Sequence, residues 1–219
     1  MSTETAGPQR SSRTALVAVV LVLSLVAGFV GYRLVIRERD PRFDRADMAE
    51  IVLQPQDAYP GTEYVARDSG EQDIDAFAID AEEHDRLEED GFVAGRLSLF
   101  VPVGYAEPAP GLPPLEADAI IIQGIAGLFG SSRGADSTIA RFVGDLTAEQ
   151  LYGERPIDAD SLGDRSFGFE GEVPTGAHVV EFVWRQGNLV LAVVGSGDIS
   201  AAEVRELADS VSARAEALA

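Results

Sequence analysis

The longest uninterrupted apolar stretch of the chain runs over residues 14–36 and carries no charge before Arg33. At about 1.5 Å per residue, a helix of this length crosses the ~30 Å hydrocarbon layer of a membrane. The pattern therefore predicts a single transmembrane helix behind an N-terminal tail of residues 1–13. A cleaved signal peptide is the alternative, because Arg10 and Arg13 precede the stretch. The stretch is longer than a usual signal-peptide core, however, and no A-x-A site stands at its end.

The residues that follow this stretch bear on its orientation. Residues 37–47 mix both charge signs with one proline and no apolar period, which predicts a solvated, charged stalk. Five arginines lie at or just beyond the C-terminal end of the helix and two precede it, so the positive-inside rule taken alone favours a cytoplasmic domain. Long domains translocate largely regardless of charge, and the short tail keeps its two arginines inside. We therefore expect the remaining domain, residues 48–219, to be extracytoplasmic.

The first half of this domain alternates between helical and extended patterns. Residues 74–90 have helical spacing before a stop at Gly91, although Asp80 with Glu83 could cap a shorter helix. Two β-rich runs, residues 92–103 and 119–129, predict strands. The connection between these strands, residues 104–114, holds four prolines and two glycines and is expected to be an exposed loop.

A second helix is predicted after the strand that ends at Phe129. Ser131 or Ser132 caps its start, and apolar residues recur on one side of it. The predicted inward side consists of Ile139, Phe142, Val143 and Leu146. A loop is expected over residues 152–163.

The clearest local pattern lies in the C-terminal third. Residues 177–186 and 189–196 are two β-rich runs separated by Gly187 and Asn188, which permit the backbone of a two-residue hairpin turn. The turn fixes the register and so places alternate residues on opposite faces. On one face the predicted pairs are Gln186 with Leu189, Trp184 with Leu191 and Phe182 with Val193; the other face holds Arg185, Val183 and Glu181 beside Val190, Ala192 and Val194.

A capping box at Ser200 and Glu203 opens a last helix, which runs to about Leu218. Its apolar stripe predicts that it covers the hairpin sheet, with Leu207 at the centre of the contact. The stripe consists of Val204, Leu207, Ala208, Val211, Ala215 and Leu218. Five or six mostly antiparallel strands with two or three packed helices predict the fold class α+β, as one α/β sandwich domain.

Charge and composition narrow the possible functions. Arginine supplies all 17 basic charges, and 37 acidic residues bring the formal net charge to −20. A nucleic-acid partner is not expected, because phosphate binding needs a clustered basic face. The absence of cysteine removes disulfides, thiolate metal sites and cysteine nucleophiles. Residues 46–219 alone hold ten arginines and 33 acidic residues, which gives a charge of −23. This charge indicates either solubility through mutual repulsion between molecules or adaptation to high salt concentration.

One acidic segment resembles the start of a calcium-binding loop. Asp158, Asp160 and Asp164 have the spacing of EF-hand ligands, and Gly163 stands at the sixth position. The match fails because Leu162 occupies a ligand position and an aromatic residue replaces the bidentate glutamate. The segment is therefore expected to be a solvated acidic turn.

The two histidines are the remaining candidates for metal or acid–base chemistry. His84 and Glu88 stand four residues apart on a predicted helix and could supply two metal ligands, which make a weak site. His178 begins a hairpin strand and is most simply an edge or core residue, and no G-x-S-x-G elbow supports a serine hydrolase. The run from Gly130 to Gly134, with Arg133, could cradle an anion, but it lacks the lysine and the spacing of a Walker loop.

Several short motifs together carry a resemblance to a known class of proteins. The chain resembles uncharacterised bacterial membrane-anchored surface proteins, which in turn are similar to the PsbP-like α/β/α sandwich. The likeness covers about residues 60–218 and also favours an extracytoplasmic domain, but its motifs are structural and transfer no functional residue. The motifs are GFVAG at 91–95 before Phe100, SSRGA at 131–135 after Leu128 and Phe129, LGD at 162–164, and the hairpin with its final helix.

These observations predict a non-catalytic, membrane-tethered domain that binds a protein or small ligand at the cell surface. No catalytic, cofactor-binding or metal-binding residue is predicted, and no cofactor is expected. The expected partners are the lipid bilayer, through residues 14–36, and a protein in the membrane or envelope. The alternative is an accessory or assembly subunit of a larger membrane complex, in which the helix carries the contacts. A hydrolase that uses His178 is a third class.

Overall fold

The computed structural model describes residues 42–105, 116–149, 155–172 and 176–219, with the backbone alone described over 145–149. Helices are interspersed with groups of strands along these residues. In chain order the elements are α1 (Arg45–Ile51), a 3₁₀ turn (Pro55–Asp57), β1 (Thr62–Tyr64), β2 (Gly70–Gln72), α2 (Ile74–Phe77), α3 (Ala81–Glu89), β3 (Phe92–Pro102), β4 (Ile121–Phe129), α4 (Ser132–Glu149), β5 (Arg155–Ile157), β6 (Arg165–Glu172), β7 (His178–Gln186), β8 (Leu189–Ser196) and α5 (Ala201–Leu218).

The strands form one sheet in which every described pair is antiparallel. Its order is β1-β3-β4-β8-β7-β6-β5, and β2 pairs with β3 alongside β1. Long central strands and three-residue edge strands make the middle of the sheet its most continuous part. The predicted antiparallel sheet with packed helices is therefore confirmed.

Helices cover both faces of the sheet. On the first face, here the α5 face, α1 and α5 pack against a core that includes Trp184, Phe182 and Phe100, each at most 2% exposed. On the opposite face, the α4 face, Ile139 of α4 packs against Val183 and Ala192. The helices α2 and α3 complete that face around Leu87 and Phe129. The described residues thus form three layers, with the sheet in the middle.

The folded part includes residues before position 48, where the sequence predicts that the domain begins. Residues 42–47, assigned to the solvated stalk, belong to the folded part, because Phe43 is 3% exposed within the core of the α5 face. Asp44 caps α1, and its side chain and that of Asp47 form a reciprocal capping box. The stalk prediction is wrong for residues 42–47. The segment is rich in charged residues, but it contains a phenylalanine that is buried in the core, Phe43, and a helix cap, Asp44.

Asn188 holds the entry segment in place. This hairpin residue is 1% exposed, and its side-chain oxygen accepts hydrogen bonds from the N–H groups of Arg42 and Phe43, each at 3.0 Å. Its side-chain nitrogen donates to the carbonyls of Phe43 and Phe129, at 3.1 and 2.9 Å. One amide therefore ties three segments together: the entry segment, the hairpin and the end of β4.

The predicted hairpin register is confirmed at every pair. Trp184 lies opposite Leu191, and the neighbouring pairs follow in step. Of the two turn residues, only Gly187 has a positive φ, +59°, which corresponds to a turn with glycine at its first central position. The last helix begins at the predicted capping box of Ser200 and Glu203.

Other predictions need correction. Leu207 is only partly buried, and the centre of the α5 contact is taken by Val204 and Ala208, both 0% exposed. Phe142, predicted to face inward on α4, is 38% exposed. The helix predicted over residues 74–90 divides into α2 and α3, and Asp80 caps the second by accepting from the N–H of Glu83.

Besides β2, two strands in the C-terminal half were not predicted. β5 lies within the loop expected over residues 152–163, and β6 follows it. The glycines of β6 dilute its alternating pattern, so only its aromatic positions carry a strand signal.

Some predictions fall outside the described residues. These are the transmembrane helix of residues 14–36, the tail before it, stalk residues 37–41 and most of the proline-rich loop. Within the described ranges, no helix has the length and apolar character that a membrane crossing requires.

Candidate functional site

A cleft forms where β2 leaves the sheet. β2 pairs with β3 only from Gly95 to Leu97, because the chain turns away after Gln72 and enters α2. Residues 92–94 of β3 pair with β4 alone among the described strands. The other edge of β3 is thus open at this point, and we call the space beside it the β2–β3 cleft.

β3 also bulges beside this cleft. Phe92 lies opposite Phe129 and Ala94 opposite Leu128, so Val93 is an extra residue relative to β4. A bulge bends a strand and redirects the groups next to it. Here the carbonyl of Val93 accepts a side-chain hydrogen bond from Arg45 at 2.9 Å.

The cleft has a volume of about 420 Å³, within the range of small-molecule and side-chain binding pockets. Apolar side chains of α2 and β3 form part of its wall, and charged side chains of β2, α1 and α3 form the rest. Its lining residues are Arg45, Glu71, Gln72, Asp73, Ile74, His84, Glu88, Phe92, Val93 and Ala94. The apolar part is well packed, because the Phe92 ring contacts the ring of Phe77 in a tilted arrangement and that of Phe129 edge to face, with centroids 4.9 and 5.8 Å apart.

Arg45 spans the mouth of the cleft. Its Nη1 donates to Oε1 of Glu71 at 2.7 Å, while Nη2 donates to the carbonyl of Val93. Both side chains of this ion pair are well exposed, 59% for Arg45 and 49% for Glu71. Exposed ion pairs of this kind contribute little to stability, typically about 0–1 kcal/mol.

His84 is held between carboxylates on the α3 side of the cleft. Its Nε2 lies 3.3 Å from Oδ1 of Asp75, and its Nδ1 lies 3.6 Å from Oδ1 of Asp85. Glu88, the partner proposed from sequence, lines the same cleft. The structure therefore brings His84 and Glu88 to one site, but it holds no group of three or more candidate metal ligands among the described residues.

The acidic turn predicted from Asp158, Asp160 and Asp164 is organised by an arginine. Arg205 of α5 donates to the carbonyls of Asp158 and Asp160, at 3.3 and 2.7 Å. Asp164 turns away and accepts from the N–H of Gly187 at 2.9 Å. Among the described residues the three carboxylates do not form a metal-binding group, and the guanidinium of Arg205 binds backbone oxygens of this turn instead.

His178 belongs to a network at the opposite edge of the sheet. Its Nδ1 lies 3.2 Å from the carbonyl of Ile199, and its Nε2 lies 3.4 Å from Oε1 of Glu170. A hydrogen bond from Arg155, aided by the charges of Arg155 and His178, lowers the pKa of Glu170 despite some desolvation. His178 is therefore a partly buried residue at the start of β7, which lies between β6 and β8. Its named partners are a carbonyl and a carboxylate rather than a hydroxyl group.

The candidate anion cradle at residues 130–134 is an ordinary helix start. The hydroxyl of Ser131 accepts from the N–H of Gly134 at 3.2 Å, as an N-cap does. The carbonyl of Ser131 accepts from Ala135. Capping therefore uses the N–H group of Gly134, one of the donors that an anion would need.

Sequence reasoning missed the main residues of the cleft. Arg45 lies in the segment predicted to be a solvated stalk, and Glu71 lies in β2, a strand that the sequence did not predict. The one available signal was the imperfect alternation of residues 92–103, which reflects the bulge at Val93. The contact between Arg45 and Val93 spans 48 positions, and no local pattern encodes it.

Comparisons with known proteins give similarity to solved structures but no family. No family model matches the chain, and no curated protein is similar to it in sequence. Among solved structures, the extracellular domain of PknH from Mycobacterium tuberculosis is similar over 73% of this chain and 79% of that chain, with 10% identity and a TM-score of 0.41. The PsbP-like resemblance is not confirmed by these comparisons and stays a prediction.

Proposed function

We propose that this chain is a non-catalytic, membrane-tethered domain that binds a protein partner at the outer side of the membrane, through the β2–β3 cleft. The observation that carries the proposal is the cleft itself. It combines an open strand edge, a bulge, an apolar wall and a charged rim. Binding sites commonly combine an apolar lining with a few placed polar groups in this way.

The non-catalytic part of the proposal rests on the chemistry available to the chain. The sequence has no cysteine and two histidines. Both imidazole rings have hydrogen-bond acceptors as their named partners: carboxylates at His84, and a carbonyl and a carboxylate at His178. A nucleophile activated by histidine needs a hydroxyl or thiol within hydrogen-bonding distance of the ring. The described contacts therefore favour binding over turnover.

The membrane tether and the outer location rest on the sequence. The apolar stretch of residues 14–36 is long enough to span a bilayer. The folded unit that follows carries its charge on a strongly acidic surface, and long domains cross membranes largely regardless of charge. A tether of this kind holds the cleft close to other proteins of the membrane or envelope.

Site-specific photo-crosslinking in intact membranes tests where the partner binds. A benzophenone amino acid replaces Val93, which is 40% exposed at the cleft, or Val103, which is 66% exposed beyond the end of β3. Ten residues of strand separate these positions by about 30 Å. We expect a discrete crosslinked product from position 93 and none from position 103. Equal products from both positions, or none from either, would contradict binding at the cleft.

Protease treatment of intact cells tests the orientation. If the domain is outside, added protease removes it without lysis, starting in the stalk or the proline-rich loop. Full protection until lysis, followed by cleavage, would place the domain in the cytoplasm, as the arginine count alone suggests.

A further inference from the structure

The charge of the folded unit restricts what the cleft can bind. Residues 40–219, the compact unit, hold 12 arginines and 35 acidic residues and so carry a formal charge of −23. Such a field attracts cations and repels anions and further copies of the same chain. Negatively charged side chains are also concentrated at the cleft, because Glu71, Asp73 and Glu88 all line it. A cationic partner is therefore favoured, and self-association through this surface is opposed.

The geometry at the mouth of the cleft already fits a guanidinium group. Two nitrogens of Arg45 donate in parallel to two acceptors, the carboxylate of Glu71 and the carbonyl of Val93. The Val93 carbonyl is available because it lies at the bulge, where the open edge of β3 has no neighbouring strand among the described residues. A planar fork of donors suits such a pair of acceptors better than a single ammonium group does.

The internal guanidinium is easy to replace. Arg45 and Glu71 are both about half exposed, and exposed ion pairs are held weakly in water. The side chain is also long and flexible, so it can move into solvent when another cation takes its place. Glu88 adds a carboxylate at the cleft for which the structure gives no partner among the described residues.

The apolar wall of the cleft can contact the apolar part of a ligand. Ile74, Phe92 and Val93 line the cleft beside the acceptors. The aliphatic part of an arginine side chain and an apolar neighbour can cover this surface while the guanidinium stays at the rim. Small free amines would leave this part of the cleft unfilled.

We infer that the β2–β3 cleft binds an arginine side chain of a protein partner, which displaces Arg45 from Glu71 and Val93. This inference rests on the proposed function and names the chemistry of its ligand. Arg45 then acts as an internal competitor that occupies the site when no partner is bound.

Fluorescence anisotropy with a labelled peptide tests this directly. The probe is fluorescein-labelled Gly-Leu-Arg-Leu-Gly, and its control carries citrulline, which has nearly the same shape without the charge. Both are titrated with the full chain in detergent and with its Arg45→Ala and Arg45→Gln variants. We expect the arginine peptide to bind about 10-fold more tightly than the citrulline peptide, because charged hydrogen bonds are the stronger ones. Removal of the competitor should tighten binding of the arginine peptide by a further factor of about 3 to 10.

Two carboxylate variants complete the test. Glu71→Gln should weaken binding of the arginine peptide about 10-fold, because it removes a charged acceptor of the guanidinium. The matched control is Glu206→Gln on α5, an exposed site on the opposite face of the sheet, which should leave binding unchanged. Circular dichroism confirms that each variant is folded. The inference is overturned if citrulline binds as well as arginine, if both Arg45 variants bind no more tightly than wild type, or if Glu71→Gln has no effect.

Failure of this inference is distinguishable from failure of the proposed function. A crosslinked partner at position 93 together with indifference to arginine would retain the binding cleft and reject the ligand chemistry. The absence of any crosslinked partner in intact membranes would instead reject the proposed function.

Discussion

Replacing Asn188 by aspartate separates two roles that this residue could have. It is the only asparagine of the chain, and it occupies the second position of the β7–β8 turn. If its role were confined to the turn, aspartate would serve as well, because Gly-Asp and Gly-Asn are both favoured in two-residue hairpins. If it clamps the entry segment, its amide group is indispensable.

The expected cost follows from the hydrogen bonds that change. The carboxylate of Asn188→Asp can still accept from the N–H groups of Arg42 and Phe43, but it cannot donate to the carbonyls of Phe43 and Phe129. Each buried acceptor left without a partner costs about 1–3 kcal/mol. The buried negative charge also faces those two carbonyl oxygens. We expect a loss of about 3 kcal/mol or more from the free energy of unfolding.

Urea unfolding of residues 40–219, which form one compact unit, measures this loss. Trp184 is the only tryptophan and is 0% exposed, so its fluorescence reports loss of the core on the α5 face. With a typical slope of about 2 kcal/mol per M, the midpoint should fall by about 1.5 M. Gln56→Glu makes the same amide-to-acid change at an exposed position and should cost less than about 0.5 kcal/mol. If Asn188→Asp were as mild as this control, the clamp would have no energetic role.

Two further outcomes follow from the structure. Gly134→Ala should destabilise the domain by about 1–3 kcal/mol in thermal unfolding, because its Cβ would lie 1.9 Å from the carbonyl oxygen of Asp90. The control is Gly144→Ala on the same helix. Its Cβ would meet nothing within 4 Å, so this variant should be neutral or stabilising. Hydrogen bonds from the Ser200 side chain, Tyr59 and the Ser200 backbone lower the pKa of Glu203 from 4.5 to about 2. Its stabilising effect is therefore complete above pH 4.5 and lost as the pH falls towards 2. The difference in unfolding midpoint between wild type and Glu203→Gln should shrink over that interval, and a constant difference would contradict the assignment.

The parts of the fold that were predictable are those encoded locally. The hairpin register follows from two turn residues and the alternation beside them, and α5 follows from a capping box with an apolar stripe. Both signals lie within about 20 consecutive residues. Leu207 shows the limit even there, because the stripe defines a side of the helix but not which residue lies deepest.

The parts that were missed depend on long-range contacts. Phe43 is buried because a side chain 145 positions away binds its backbone, and nothing in the charged segment around it indicates this. The cleft likewise joins residues from α1, β2, α3 and β3, of which only His84 and Glu88 were considered from the sequence. A solvated stalk and a folded entry segment have the same local composition and differ only in their distant partners.

Native co-purification with mass spectrometry tests the central claim most directly, that the partner is bound by the cleft of a tethered domain. Three full-length chains are compared: wild type, one with residues 14–36 exchanged for an unrelated apolar helix, and one with Glu71→Arg and Glu88→Arg at the cleft. We predict that the partner is retained after the helix exchange and lost when the cleft charges are reversed. Loss of the partner on helix exchange, with retention by the cleft variant, would contradict this account and favour an accessory subunit held by its membrane helix.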